Sequence, residues 1–144
     1  MLKVVSIGAL LLMVLAVAGL VATDSLVSPS PVVIGVQCLA VALMLWARMT
    51  FGGRSFHAAA NPTAGGLVTT GPYHFIRHPI YTAACLFCWA GVAAHLSVVA
   101  VLLGVLLFIG GLVRMLSEEH LVTQAYPEYR QYAETTKRMV PYLF

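Results

Sequence analysis

Charged residues are what this sequence has least of. Only 9% of its 144 residues are Asp, Glu, Lys or Arg, against about 25% in a soluble domain. That shortage excludes a water-exposed globular surface. With 60% hydrophobic residues and a mean hydropathy of +0.92, it marks a small integral membrane protein. A single membrane domain over residues 1–144 is the expected organisation. The net charge of +3 is too small to argue for a nucleic-acid partner. Cysteine is scarce too. Cys38, Cys85 and Cys88 all lie in apolar runs. Cys85 and Cys88 make a C-x-x-C spacing, but no second pair or ligand cluster completes a redox or metal site. Two small apolar residues one turn apart on a membrane helix is the plainer account. There is no H-E-x-x-H. His74 and His78 stand four apart, yet Pro79 works against a helix running through them, because the residue before proline avoids the α region. No metal site is expected. Internal repeats and low-complexity segments are absent as well.

What is present is long apolar sequence. Val4 to Ala22 is 19 residues without a charge, about the length that crosses a bilayer. Lys3 ahead of it gives the start of a signal peptide, but the run is longer than a signal core and Leu20-Val21-Ala22 is a poor cleavage site; a retained first span is expected. "DSLVSPSP" (Asp24–Pro31) reads as a turn, and Val32–Ala47 as a second span ending at Arg48. The polar, glycine-rich stretch that follows cannot lie in lipid, where irregular backbone leaves amides unpaired. From His78 to Val113 there are 36 residues without a formal charge. As one helix they would run about 54 Å, too long for a hydrocarbon core of about 30 Å. They must fold back, and "AAHLS" (Ala93–Ser97) is the weakest point, with His95 at the tip. The fold class is therefore all-α: a membrane bundle of about four helices near 4–22, 32–47, 80–94 and 97–114. A loop, 48–79, and an amphipathic tail, 115–144, complete it, with Pro127 opening a short helix over Glu128–Lys137. With four spans, Lys3, Arg48, Arg54, Arg77, Arg114, Arg130, Lys137 and Arg138 fall on one side, and Asp24 and His95 on the other. The positive-inside pattern puts both termini, the loop and the tail in the cytoplasm.

The loop and the tail thus meet at one mouth of the bundle. Between them they bring Tyr73, His74, Arg77, His78 and Tyr81 toward Arg114, Glu118, Glu119 and His120. Arg114 and Glu118 are four apart and share a helix face. Taken singly, each residue has a plainer role. Arg77 can snorkel to phosphate headgroups, Tyr73 and Tyr81 can belong to an aromatic belt, Arg114 and Glu118 can pair at a helix end, and His78-Pro79 can simply start a helix. Their density argues for more, since ionisable residues at a membrane edge are functional candidates.

"LVTTGPYHFIRHPIY" (Leu67–Tyr81), followed after a hydrophobic hairpin by "RMLSEEHL" (Arg114–Leu121), "YPEYRQY" (Tyr126–Tyr132) and "KRMVPYLF" (Lys137–Phe144), resembles the isoprenylcysteine carboxyl methyltransferase family. It is also similar to the broader group of membrane methyltransferases that includes phospholipid N-methyltransferases. The resemblance covers roughly Arg48 to Phe144. It implies an all-helical membrane enzyme that takes S-adenosylmethionine from the cytoplasmic side. It implies cofactor contacts at Leu67, Val68, Tyr73, His78, Pro79, Ile80, Tyr81 and Glu118, with Tyr129 and Arg138 closing the tail over the pocket. It further implies that Arg114 reaches the methyl acceptor, with Arg77 as the other basic candidate. Tyrosine faces suit a sulfonium through cation–π attraction, and Glu118 suits an α-amino group. A carboxylate acceptor needs no strong base. An amine acceptor would ask Glu119 or His120 to take a proton. Methylation of a lipophilic carboxylate entering from the bilayer is the favoured activity. A phospholipid amine or a small thiol is the alternative acceptor, and a non-catalytic membrane scaffold or sensor is the alternative from another class.

Overall fold

The computed structural model describes residues 1–52 and 66–144. Residues 53–65 of the expected loop, Arg54 among them, lie outside the described residues. The chain forms α1 (Leu2–Ala22), α2 (Pro31–Phe51), α3 (Pro79–His95), α4 (Val98–Ala125) and α5 (Tyr129–Thr135), with a 3₁₀ turn over Gly71–His74. No strand forms among the described residues; Ile76 and Lys137 make an isolated parallel bridge.

The helix starts follow from the chemistry at their ends. Pro31 and Pro79 sit in the first turns of α2 and α3, where a missing N–H costs nothing. Ser97 caps α4 by accepting the Ala100 amide at 3.1 Å. The α3–α4 hairpin turns where the sequence is weakest, and His95 at its tip donates from Nε2 to the Val27 carbonyl at 2.9 Å. That bond ties the hairpin to the α1–α2 turn.

Three helices, α1, α2 and α4, are long and apolar enough to cross a membrane. The fourth expected span, α3, has 17 residues, at the short end of the spanning range. Exposed Val4, Leu11, Val32, Leu39, Val98 and Leu102 stand on the outer faces, as lipid contact allows. Three helices depart from their expected bounds. The second helix runs on past Ala47 to Phe51, carrying Arg48 into helix. The fourth does not end near Arg114 but continues as one 28-residue helix to Ala125. At 1.5 Å per residue it is about 42 Å long, so its last turns outrun the hydrocarbon. The reason is local: nothing between Arg114 and Ala125 breaks a helix, whereas Pro127 stands just beyond. The last short helix, expected over Glu128–Lys137, is confined to Tyr129–Thr135.

α1 packs along α4, α2 along α3, and α3 against α4. Close approach is carried by small residues. A Cβ built at Gly91 would lie 2.2 Å from the Leu26 carbonyl oxygen, and one at Gly110 would lie 2.7 Å from Met13 Cγ. Gln37, buried on α2, donates to the carbonyls of Leu26 at 2.7 Å and Phe87 at 3.2 Å. It thereby joins α2, α3 and the first turn. The core is formed by Ala16, Leu20, Val92, Ala100, Leu107 and Met115, with Cys85 and Cys88 among them as free thiols.

Candidate active site

The site lies where α4 leaves the apolar layer. Arg114 and Glu118 stand one turn apart on α4, and Arg114 Nη2 meets Glu118 Oε1 at 3.1 Å. Tyr81, in the first turn of α3, locks the pair. Its hydroxyl donates to Glu118 Oε1 at 2.6 Å and accepts from Arg114 Nε at 2.8 Å. Arg114 is 5% exposed, and its Nη1 reaches across to the Ser6 carbonyl of α1 at 3.3 Å. A buried guanidinium is tolerable only with its donors satisfied, and this arrangement supplies acceptors from three helices.

Glu119 points to a second set of partners. Arg77 Nε and His78 Nε2 lie 3.0 and 3.1 Å from its Oε1, and Arg138 Nε and Nη2 both lie 3.1 Å from its Oε2. Arg77 Nη1 also donates to the carbonyls of Ala133 and Thr136. The backbone continues the link: the amides of Arg77 and His78 donate to the carbonyls of Lys137 and Arg138 at 2.8 and 2.9 Å. Thr82 Oγ1 donates to Met139 O at 3.0 Å, and the Tyr132 hydroxyl donates to Tyr73 O. The tail is thus strapped to the segment that leads into α3. That segment needs its glycine: Gly71 has φ +57°, and a Cβ there would sit 2.6 Å from Thr50 Oγ1, so a side chain is both strained and obstructed.

These elements enclose a cavity of about 380 Å³, within the range of small-molecule sites. The lining includes nine of the ten expected cofactor contacts. Leu67, Val68 and Tyr73 come from the stretch before α3, His78, Pro79, Ile80 and Tyr81 from its start, Glu118 from α4 and Tyr129 from α5. Arg77, Arg114 and Glu119 line it as well. Arg138 does not line it; its guanidinium holds Glu119 and lies 5.6 Å from the centre of the Phe144 ring. The sequence reading missed Leu10 and Met13 of α1, Arg48 and Phe51 of α2, and Ala84, Val122, Tyr126 and Tyr132. Tyr126 and Tyr132 carried a signal, since they flank Tyr129 at three-residue spacing. Leu10 and Met13 carried none, being two apolar residues in an apolar helix.

The polar atoms of this cavity sit in largely dehydrated surroundings. Burial pushes the phenols of Tyr73 and Tyr129 above the ordinary tyrosine value, and Tyr132 up to about 12. All three stay neutral at any physiological pH, so they offer aromatic faces but no charge; the Tyr132 proton is already given to Tyr73 O. His74 is exposed while His78 is buried, and among the described residues no three His, Cys, Asp or Glu gather where an ion would be held. The cavity therefore combines aromatic faces, two carboxylates held by arginines, the guanidinium of Arg48 from α2, and apolar surface from Leu10 and Met13 of α1 and Phe51 of α2.

The family model for phospholipid methyltransferase matches residues 31–129. The match runs from the start of α2 to the start of α5, so it takes in most of the cavity but neither α1 nor Arg138. Among curated proteins, the chain is 31% identical over 127 residues to the nickel-cobalt-cadmium resistance protein NccN of Alcaligenes xylosoxydans xylosoxydans, covering 83% of this chain and 54% of that protein. It is 32% identical over 122 residues to the cobalt-zinc-cadmium resistance protein CzcN of Cupriavidus metallidurans, covering 81% and 52%. The chain spans about half the length of these curated relatives. No solved structure matches.

Proposed function

Because this chain belongs to the phospholipid methyltransferase family, we propose that it is an S-adenosylmethionine-dependent membrane methyltransferase acting on a lipophilic acceptor. The observation that carries this is the cavity in which Tyr81 joins Arg114 to Glu118, walled by tyrosines and set at the end of the apolar layer. The residues present fit the cofactor. The faces of Tyr73, Tyr81 and Tyr129 suit a sulfonium, Glu118 suits an α-amino group, and Leu67, Val68 and Pro79, which line the cavity, offer apolar surface to an adenine. When bound, S-adenosylmethionine supplies an electrophilic methyl group on sulfur. The chain's contribution is to position the acceptor in line and to exclude water. Arg114, and Arg48 on the α2 wall, suit an anionic acceptor group, while Leu10 and Met13 offer apolar contact to its hydrocarbon part.

A lipophilic carboxylate is the favoured acceptor, because it needs no proton removed. Both acidic residues of the cavity are already engaged, Glu118 by Arg114 and Glu119 by Arg77, His78 and Arg138. The family's description favours a second reading, N-methylation of a phospholipid amine, which would require a base that can take a proton. Methylation of a small thiol is the third chemistry of this class. The metal resistance in the relatives' names belongs to those proteins. The placement of basic residues favours a cytoplasmic site with both termini on the same side.

Titration calorimetry of the detergent-solubilised protein with S-adenosylhomocysteine tests the proposal. Micromolar binding is expected, weakened at least tenfold in Glu118→Gln, which loses a charged hydrogen bond of about 1.5–3 kcal/mol. Absence of binding by folded wild-type protein would refute the cofactor assignment and favour a non-catalytic scaffold or sensor.

A further inference from the structure

We propose that Glu119 is a positioning residue for this reaction, the latch that holds the 129–144 tail against the cofactor cavity. The inference rests on the methyltransferase reading of the cavity. Its observation is the convergence of three chain segments on one carboxylate. Glu119 belongs to α4, Arg77 and His78 to the approach to α3, and Arg138 to the tail. A carboxylate offers about four lone-pair sites. Here four nitrogens occupy them, Arg77 Nε and His78 Nε2 on Oε1, and Arg138 Nε and Nη2 on Oε2. No acceptor position is left over for a substrate proton. The general-base role that an amine acceptor would ask of Glu119 is therefore not the one this geometry serves.

The geometry serves closure instead. Arg77, fixed at one end by Glu119, extends its Nη1 to the carbonyls of Ala133 and Thr136 at the end of α5. Those carbonyls have lost their helical partners and need a donor. Arg138 approaches Glu119 from the opposite side, and the backbone pairs of 77–78 with 137–138 complete the strap. Two residues of this tail, Tyr129 and Tyr132, line the cavity. Glu118 lines it from α4, adjacent in sequence to the latch. One turn of α4 therefore presents one carboxylate to the ligand and spends the next on the chain that encloses it. Burial is graded across the latch: the side chains of Arg77 and Glu119 are 8% and 13% exposed, and that of Arg138 is 33%. The Arg138 contact is the most exposed of the latch.

The experiment combines trypsin cleavage at the Arg130–Gln131 bond of the ligand-free protein with calorimetry using S-adenosylhomocysteine. It compares wild type, Glu119→Gln, Arg138→Gln and the double variant. Arg138→Gln changes a partly exposed side chain and keeps the test decisive if Glu119→Gln does not fold. Cleavage is expected to quicken on the order of tenfold in each single variant. The double variant should be no faster than the faster single, as for residues sharing one ion-pair network. S-adenosylhomocysteine affinity should fall by a similar factor, and Arg138→Lys should recover part of both effects. Unchanged cleavage in the single variants, additive effects in the double, or a freed tail with unchanged affinity would each overturn the latch. Wild type that binds no S-adenosylhomocysteine, while the cleavage pattern holds, would sink the cofactor assignment and leave the tail contact standing.

Discussion

Tyr81 carries more of the site than its phenol alone suggests. One hydroxyl receives Arg114 and donates to Glu118, so it fixes the distance between a cation and an anion that share a helix face. The i, i+4 pair on an exposed helix is worth only about 0.3–0.5 kcal/mol. Here burial and the third partner turn it into a rigid unit. Tyr81→Phe keeps the ring and the shape of the cavity while removing that tie. S-adenosylhomocysteine affinity is expected to fall about three- to tenfold, the equivalent of one net hydrogen bond, and the thermal midpoint to drop as well, because the buried Arg114 Nε loses its acceptor. Calorimetry beside a melting curve checks both. Arg114 is a different case, since its guanidinium also reaches Ser6 of α1. Truncating it would leave Glu118 without its cation and loosen two helices together, so its variants report stability and binding at once.

At the scale of elements, the decisive feature is that α4 is longer than the hydrocarbon core is thick. Its first part is lipid-facing and core-forming. Its last three turns carry Arg114, Glu118 and Glu119 to where ionised groups can persist, yet they remain on the same rigid rod as the core. The hairpin with α3 then brings Tyr81 and His78 to the level of those residues. The depth of the hairpin is held from its other end, where the backbone of the α1–α2 turn lies against Gly91. Gly91→Ala would force that turn away from α3, because its Cβ meets backbone rather than a movable side chain. A loss of roughly 1–3 kcal/mol is expected for such overpacking, read as a lowered melting temperature in detergent. Gly35→Ala, at a position of α2 with nothing within 4 Å, should leave it unchanged or slightly raised.

For the whole molecule, the pairing of α1 with α4 and of α2 with α3 sets where the cavity has apolar walls. Leu10 and Met13 enter it from α1, and Arg48 and Phe51 from α2. The first helix therefore belongs to the site and is more than an anchor. Four crossings, as proposed, would put residues 2 and 144 on one face, and the positive-inside pattern of the basic residues favours the cytoplasmic one. Cysteines introduced at those two positions should react with an impermeant maleimide only from the cytoplasmic side of sealed vesicles. Labelling of the two from opposite faces would exclude four crossings.

The sequence by itself determined the class of fold. A bilayer imposes a length and a polarity on every crossing, and both can be counted along the chain, so the apolar runs, the fold-back near His95 and the polar mouth were legible. It also determined most of the residues that crowd that mouth, because Arg114 and Glu118 share a face by helical periodicity alone, and because the motif from Leu67 to Tyr81 is contiguous; His74 and His120, expected there too, are exposed and do not line the cavity. Only the tertiary structure decided the rest. The partners of Glu119 lie 19 to 42 residues away, and Ser6 lies 108 residues from Arg114. No periodicity connects such positions. They meet because the helices pack in one arrangement and the tail returns along the start of α3. The same applies to Leu10 and Met13: an apolar residue facing lipid and one facing a cavity read alike until the neighbouring helices are in place.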